Sequence, residues 1–82
     1  MIEFTLYVRH GCHLCEDMEQ QLRALQDQVT FAFTQQDVDA DPRLIQAYGH
    51  LIPVLIYGDE TLCHYFLDQA AVLQAIGKQP HT

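Results

Sequence analysis

The sequence predicts an α/β domain, a four-stranded mixed sheet flanked by three helices in the order β-α-β-α-β-β-α. Three observations predict it. Apolar and polar residues alternate through residues 2–8, the period of a strand with one buried face. Leu14, Met18, Leu22 and Leu25 follow at helical spacing. Further helix-sized segments then separate later apolar runs, the spacing of parallel crossovers.

The elements follow in order. Strand one puts Ile2, Phe4, Leu6 and Val8 on one face and Glu3, Thr5 and Tyr7 on the other. Helix one covers residues 13–26, with Glu16 and Asp17 in its first turn, where acids suit the helix dipole. Residues 30–34, with Phe31, Ala32 and Phe33, make the second strand, and residues 35–41 read as a polar turn. Asp41 caps a short helix over 42–48, Pro42 fills its first position, and Gly49 stands where such helices stop. Residues 52–57 form strand three, Gly58-Asp59 a turn, and residues 61–65 a strand paired back as a hairpin. Asp68 caps a last helix over 69–76 that Gly77 stops, and residues 78–82 are expected to fray.

Composition narrows the function classes. At 82 residues, 49% of them hydrophobic, the chain suits one domain (1–82) with one small core. Eleven acids against four bases give a formal charge of −7, which argues against nucleic acid and anionic membrane as partners. No apolar run approaches the ~20 residues of a membrane span. The first strand begins at Ile2, leaving no signal peptide before it, so a cytoplasmic monomer is expected. Three cysteines, one of them odd, do not form a secreted disulfide framework.

Chemistry concentrates in Arg9-His10-Gly11-Cys12-His13-Leu14-Cys15, between strand one and helix one. A thiolate is the attacking species in disulfide exchange, and the open N–H groups of a helix start stabilise an anion. Cys12, at or just before the first turn, is the expected nucleophile. Cys15, one turn in, is placed to resolve a mixed disulfide. The spacing also suits half a zinc site or two inert cysteines. A zinc site needs four ligands, and His10, His13 and Cys63-His64 match no common spacing, so no metal is expected. Glu16 stands where a haem attachment needs histidine. A non-catalytic module that binds a partner protein or a metal through the same cysteines is the alternative. His10 and His13 either pair with the Cys12 thiolate or face solvent.

Other features read more plainly. Asp37, Asp39 and Asp41 alternate as in a calcium loop, but Pro42 and Tyr48 occupy the places of its glycine and glutamate, so a solvated loop with a helix cap is expected. Cys63 reads as a buried free cysteine, with a third redox thiol as the alternative. Tyr7, Tyr48, Tyr57 and Tyr65 show no stacking pattern and are assigned to core or rim.

With the cysteine pair after strand one and Ile52-Pro53-Val54 opening strand three, the chain resembles glutaredoxins of the thioredoxin superfamily. Gly11-Cys12-His13-Leu14-Cys15-Glu16, Asp39-x-Asp41-Pro42 and Tyr48-Gly49 are similar to the bacterial glutaredoxin-like proteins of uncharacterised function. The resemblance implies a thioredoxin-like fold and a cis Ile52–Pro53 peptide facing the cysteines. It also implies that the Ile52 backbone pairs with the substrate's cysteine, and that Arg9, His13, Leu14, Pro53 and Asp68 line the substrate site. Glutathione-binding members carry Gly-Gly before the last helix, where this chain has His64 and Tyr65. Arg9, Arg23, Arg43 and Lys78 are the only Lys or Arg cations. The expectation is a protein disulfide or dithiol reductant as partner, weak use of glutathione, and no tightly bound cofactor.

Overall fold

The first strand stands between two neighbours in the sheet. In the computed structural model, which describes residues 1–77, β1 (Glu3–Val8) pairs in parallel with β2 (Ala32–Asp37) and antiparallel with β3 (Val54–Tyr57). The outer strand β4 (Glu60–His64) pairs antiparallel with β3, giving the order β2-β1-β3-β4. Helix α1 (His13–Gln26) joins β1 to β2. A short 3-10 turn (Val38–Ala40) and α2 (Pro42–Tyr48) join β2 to β3, and α3 (Gln69–Gly77) ends the described chain. This is the mixed four-stranded sheet with three helices expected from the sequence. The expected fraying at 78–82, Lys78 included, lies outside the described residues.

One face of the sheet carries the main core. Phe4, Leu6 and Leu55 meet Met18, Leu22 and Leu25 of α1 and Val72 and Ala75 of α3. The Phe4 ring stands edge-on to Phe31 and Tyr57, at 5.5 and 5.6 Å between centroids. On the opposite face Tyr7 stacks on Tyr48 of α2, rings 4.7 Å apart and 14° from parallel. That pair corrects the reading of unstacked tyrosines, because positions far apart in sequence meet only once α2 crosses the sheet. Val54, Leu55 and Ile56 are all buried, as suits a central strand covered on both sides.

Several bounds are corrected: strand three begins at Val54 rather than 52, the hairpin strand covers Glu60–His64 rather than 61–65, the last helix includes Gly77, and two differences bear on the site. The second strand runs three residues past 34, through Gln35, Gln36 and Asp37. Parallel pairing of Glu3 with Ala32 through Val8 with Asp37 holds these polar residues in the ladder. An edge strand with one neighbour does not need apolar side chains to stay paired. Leu14, expected on the buried face of α1, is 37% exposed, and Cys15 takes that place at 4%.

The strand registers gather four segments at one end of the sheet. Val8 pairs with Asp37, Tyr7 with Val54, and Val54 with His64. The loop after β1, the turn after β2, the residues before β3 and those after β4 therefore share one rim.

Candidate functional site

Gly11 makes the turn from β1 into α1 at φ +75°, a conformation open to glycine and strained for most other residues. Cys12 follows in extended conformation and caps the helix. Its sulfur accepts the Cys15 backbone N–H at 3.1 Å, and its carbonyl accepts the Glu16 N–H at 3.1 Å. Cys12 is half-buried and Cys15 is 4% exposed. The two are joined as a disulfide, with Cα atoms 5.2 Å apart. The sulfur that faces solvent is thus the one seated on the open N–H groups of the helix, where negative charge is stabilised.

The surrounding charges are mostly acidic. Glu16 and Glu19 line the shallow depression that holds both cysteines, with Arg9 on its border. The Arg9 guanidinium is already engaged. Its Nε donates to both Asp39 carboxylate oxygens at 3.2 Å, and a terminal nitrogen donates to the Gly49 carbonyl at 3.4 Å. The three alternate aspartates have separate tasks. Asp37 accepts the Asp39 N–H at the 3-10 turn, Asp41 accepts the Arg43 N–H at the start of α2, and Asp39 holds Arg9. His13 points to solvent with 95% of its side chain exposed, 3.8 Å from Glu16, and His10 is exposed too. Among the described residues, no three His, Cys, Asp or Glu side chains gather as a metal site requires.

Across the rim, the Ile52–Pro53 peptide is cis, Pro53 is buried and Ile52 half-buried. Tyr65 ties this segment down twice. Its backbone N–H donates to the Pro53 carbonyl at 2.9 Å, and its hydroxyl donates to the His50 carbonyl at 2.7 Å. Tyr65 has φ +64°, rare for a bulky residue, at the centre of a three-residue turn closed by Phe66 N–H to His64 carbonyl at 2.7 Å. The conformation is one that glycine adopts freely. Here it carries a phenol ring, with His64 edge-on to it at 4.7 Å.

Asp68 caps α3, its carboxylate accepting the Ala71 N–H at 3.1 Å. Cys63 is free, half-buried and packed against the core. Burial pushes its thiol above the ordinary value of 9.0. A hydrogen bond from the Asp68 backbone pulls the other way, and the Asp68 charge raises it further. Of the residues singled out from the sequence, Cys12, Cys15, Arg9, Pro53 and Ile52 come from the segments that share the rim, while His13 and Leu14 are exposed on the first turn of α1. Asp39 and Tyr65 also stand there, with contacts the sequence did not reveal, and Phe66 was missed. Nothing local marks them, since their roles arise from long-range pairing and one unusual φ.

The model of the Glutaredoxin-like domain (DUF836) matches residues 3–77. A protein of Nitrosomonas europaea, solved by solution NMR, is 37% identical with a TM-score of 0.83, over 90% of this chain and 89% of that one. A malarial protein, 15% identical with a TM-score of 0.62 over 95% of this chain and 96% of that one, shares the fold. No curated protein matches. No helix among the described residues is long and apolar enough to cross a membrane.

Proposed function

We propose, because the chain belongs to the glutaredoxin-like domain family and is built as a thioredoxin-like redox module, that it is a dithiol–disulfide oxidoreductase. The observation that carries this is the Cys12 sulfur on the helix start, disulfide-bonded to Cys15. In the reducing direction the Cys12 thiolate attacks one sulfur of a substrate disulfide. That S–S bond breaks, one substrate thiolate leaves and takes a proton, and a mixed disulfide remains on Cys12. The Cys15 thiolate then attacks the Cys12 sulfur and expels the second substrate thiol. Two electrons pass to the substrate, and the Cys12–Cys15 disulfide is the oxidised product on the protein. A dithiol reductant resets the pair by the same exchange run backwards.

Several features support a protein partner over glutathione. His64 and Tyr65 fill the place of the bare backbone, and Arg9 is held by Asp39. Asp68 keeps a carboxylate near the start of α3, so weak glutathione use is the reading, with Ile52 offering backbone N–H and C=O to a bound cysteine. A reducing cytoplasm suits one unpaired cysteine beside a redox pair. The test is a Cys15→Ser variant exposed to cell extract. Partners should stay attached through Cys12 and be released by dithiothreitol. If nothing is captured, and titration shows the pair inert to oxidants and reductants, the chain is a non-catalytic binding module.

A further inference from the structure

The charges around the cysteine depression do not cancel. Arg9, Glu16 and Glu19 line it together with Cys12 and Cys15. Glu19 is matched, because its carboxylate accepts two N–H groups of Arg23 at 2.9 and 3.0 Å, and Arg23 also lies over the Phe33 ring at 5.2 Å. Arg9 is matched in turn by Asp39, whose two carboxylate oxygens both accept its Nε–H at 3.2 Å. Arg43 is held by Asp41, 3.3 Å away. Each of the arginines therefore already faces an acid. Glu16 has only His13 as an ion-pair partner, at 3.8 Å, charged only when that imidazole is protonated and with its side chain 95% exposed. An unmatched Arg9 would offset Glu16 within the depression; Asp39 cancels it first. Both members of the Arg9–Asp39 pair are partly exposed, so the tie adds little to stability, and its effect falls on the charge a substrate meets.

We infer that Asp39 sets the charge preference of the cysteine pair. By cancelling Arg9 it leaves Glu16 to act, and the pair favours disulfides with cationic groups beside their sulfurs over anionic ones. The inference rests on the redox reading for the class of substrate, a disulfide, and adds the charge that substrate carries. Asp39 acts through Arg9 and is a positioning residue.

Three small disulfides of similar length carry the test: cystamine with two ammonium groups, hydroxyethyl disulfide with none, and dithiodipropionate with two carboxylates. Each is mixed in excess with the reduced protein at low salt. The protein gives two electrons and two protons and ends as the Cys12–Cys15 disulfide, while the reagent becomes two thiols. Dividing by the rate of each reagent with dithiothreitol removes its intrinsic reactivity. Ratios between reagents remove the thiolate fraction of Cys12. The cystamine-to-dithiodipropionate ratio should be about tenfold and shrink at high salt, with hydroxyethyl disulfide between the two. Asp39→Asn should lower that ratio by about threefold, and Asp39→Glu, which keeps the charge, should preserve it. Asp59→Asn is the control. It removes one charge from the exposed turn between β3 and β4, at the opposite end of the sheet, and should leave the ratio at the wild-type value. A second readout needs no disulfide exchange: the rate of Cys12 alkylation by neutral iodoacetamide over that by anionic iodoacetate. Asp39→Asn should lower this ratio by about twofold.

If the disulfides are reduced with no charge preference, or if Asp39→Asn and Asp59→Asn lower the preference equally, the inference is overturned and the redox reading stands. If no disulfide is reduced but the alkylation ratio answers to Asp39→Asn alone, the redox reading is wrong and the charge assignment stands. If neither readout responds, both fall.

Discussion

Cys12, Cys15 and Cys63 differ in surroundings, and their reactivities should differ accordingly. Cys12 is half-buried on the helix start, Cys15 is 4% exposed, and burial holds Cys63 as a neutral thiol. In the reduced protein, iodoacetamide should modify Cys12 first, as read by mass spectrometry of partly labelled samples. Preferential labelling of Cys15 would reverse the assigned roles. Glu16 shares the depression with Cys12, and its charge opposes a thiolate there. Glu16→Gln should therefore speed Cys12 alkylation at neutral pH by about two- to fivefold at low salt, and an unchanged rate would mean that solvent screens the pair. Cys63 carries a stability consequence. Its folded pKa lies above the unfolded one, so above pH 9.0 the unfolded chain loses the proton first. Its contribution is complete below that pH and is lost as pH rises through the folded value. The urea midpoint of oxidised wild type should fall more steeply above pH 9 than that of Cys63→Ser, and parallel profiles would count against a buried thiol.

The elements around the rim depend on close contacts that cannot be enlarged. A Cβ on Gly49 would stand 2.5 Å from the Ile45 carbonyl oxygen and 3.3 Å from the Arg9 guanidinium. Gly49→Ala should therefore destabilise the fold by about 1–3 kcal/mol and loosen the Arg9–Asp39 tie, with a lowered urea midpoint as the measure. An unchanged midpoint would mean that the end of α2 gives way freely. The helices α1 and α2 were legible to the residue, because periodicity, Asp41 and Pro42 act locally. So was the cysteine pair, which lies within one turn. The extent of β2 was not, since Gln35, Gln36 and Asp37 are strand only through their pairing with β1. Nor was the engagement of Arg9, which depends on Asp39 thirty positions away. Tyr65 was placed in the right segment by resemblance, but its positive φ and its two ties to the Pro53 segment follow from tertiary closure.

Across the whole molecule, a formal charge of −7 and an occupied glycine place point to the same discrimination. Disulfide reduction coupled to a thioredoxin system should run about tenfold or more faster than reduction coupled to glutathione and its reductase. Making His64 and Tyr65 both glycine should narrow that gap. A fast glutathione-coupled rate in wild type, unmoved by the double change, would show that the two side chains do not obstruct the tripeptide. The sheet itself ends on one side at β2, where residues 34–37 are exposed. The outer backbone groups of that strand can template another chain. Gln35, Gln36 and Asp37 keep the free rim hydrated, and the capped 3-10 turn ends it abruptly. The consequence is colloidal: the chain should stay dispersed at concentrations where a greasier rim would zip copies together into fibres. Thr34→Val with Gln36→Val should bring on light scattering and thioflavin binding during gentle heating that leaves the wild type clear, and two equally clear solutions would place the protection elsewhere.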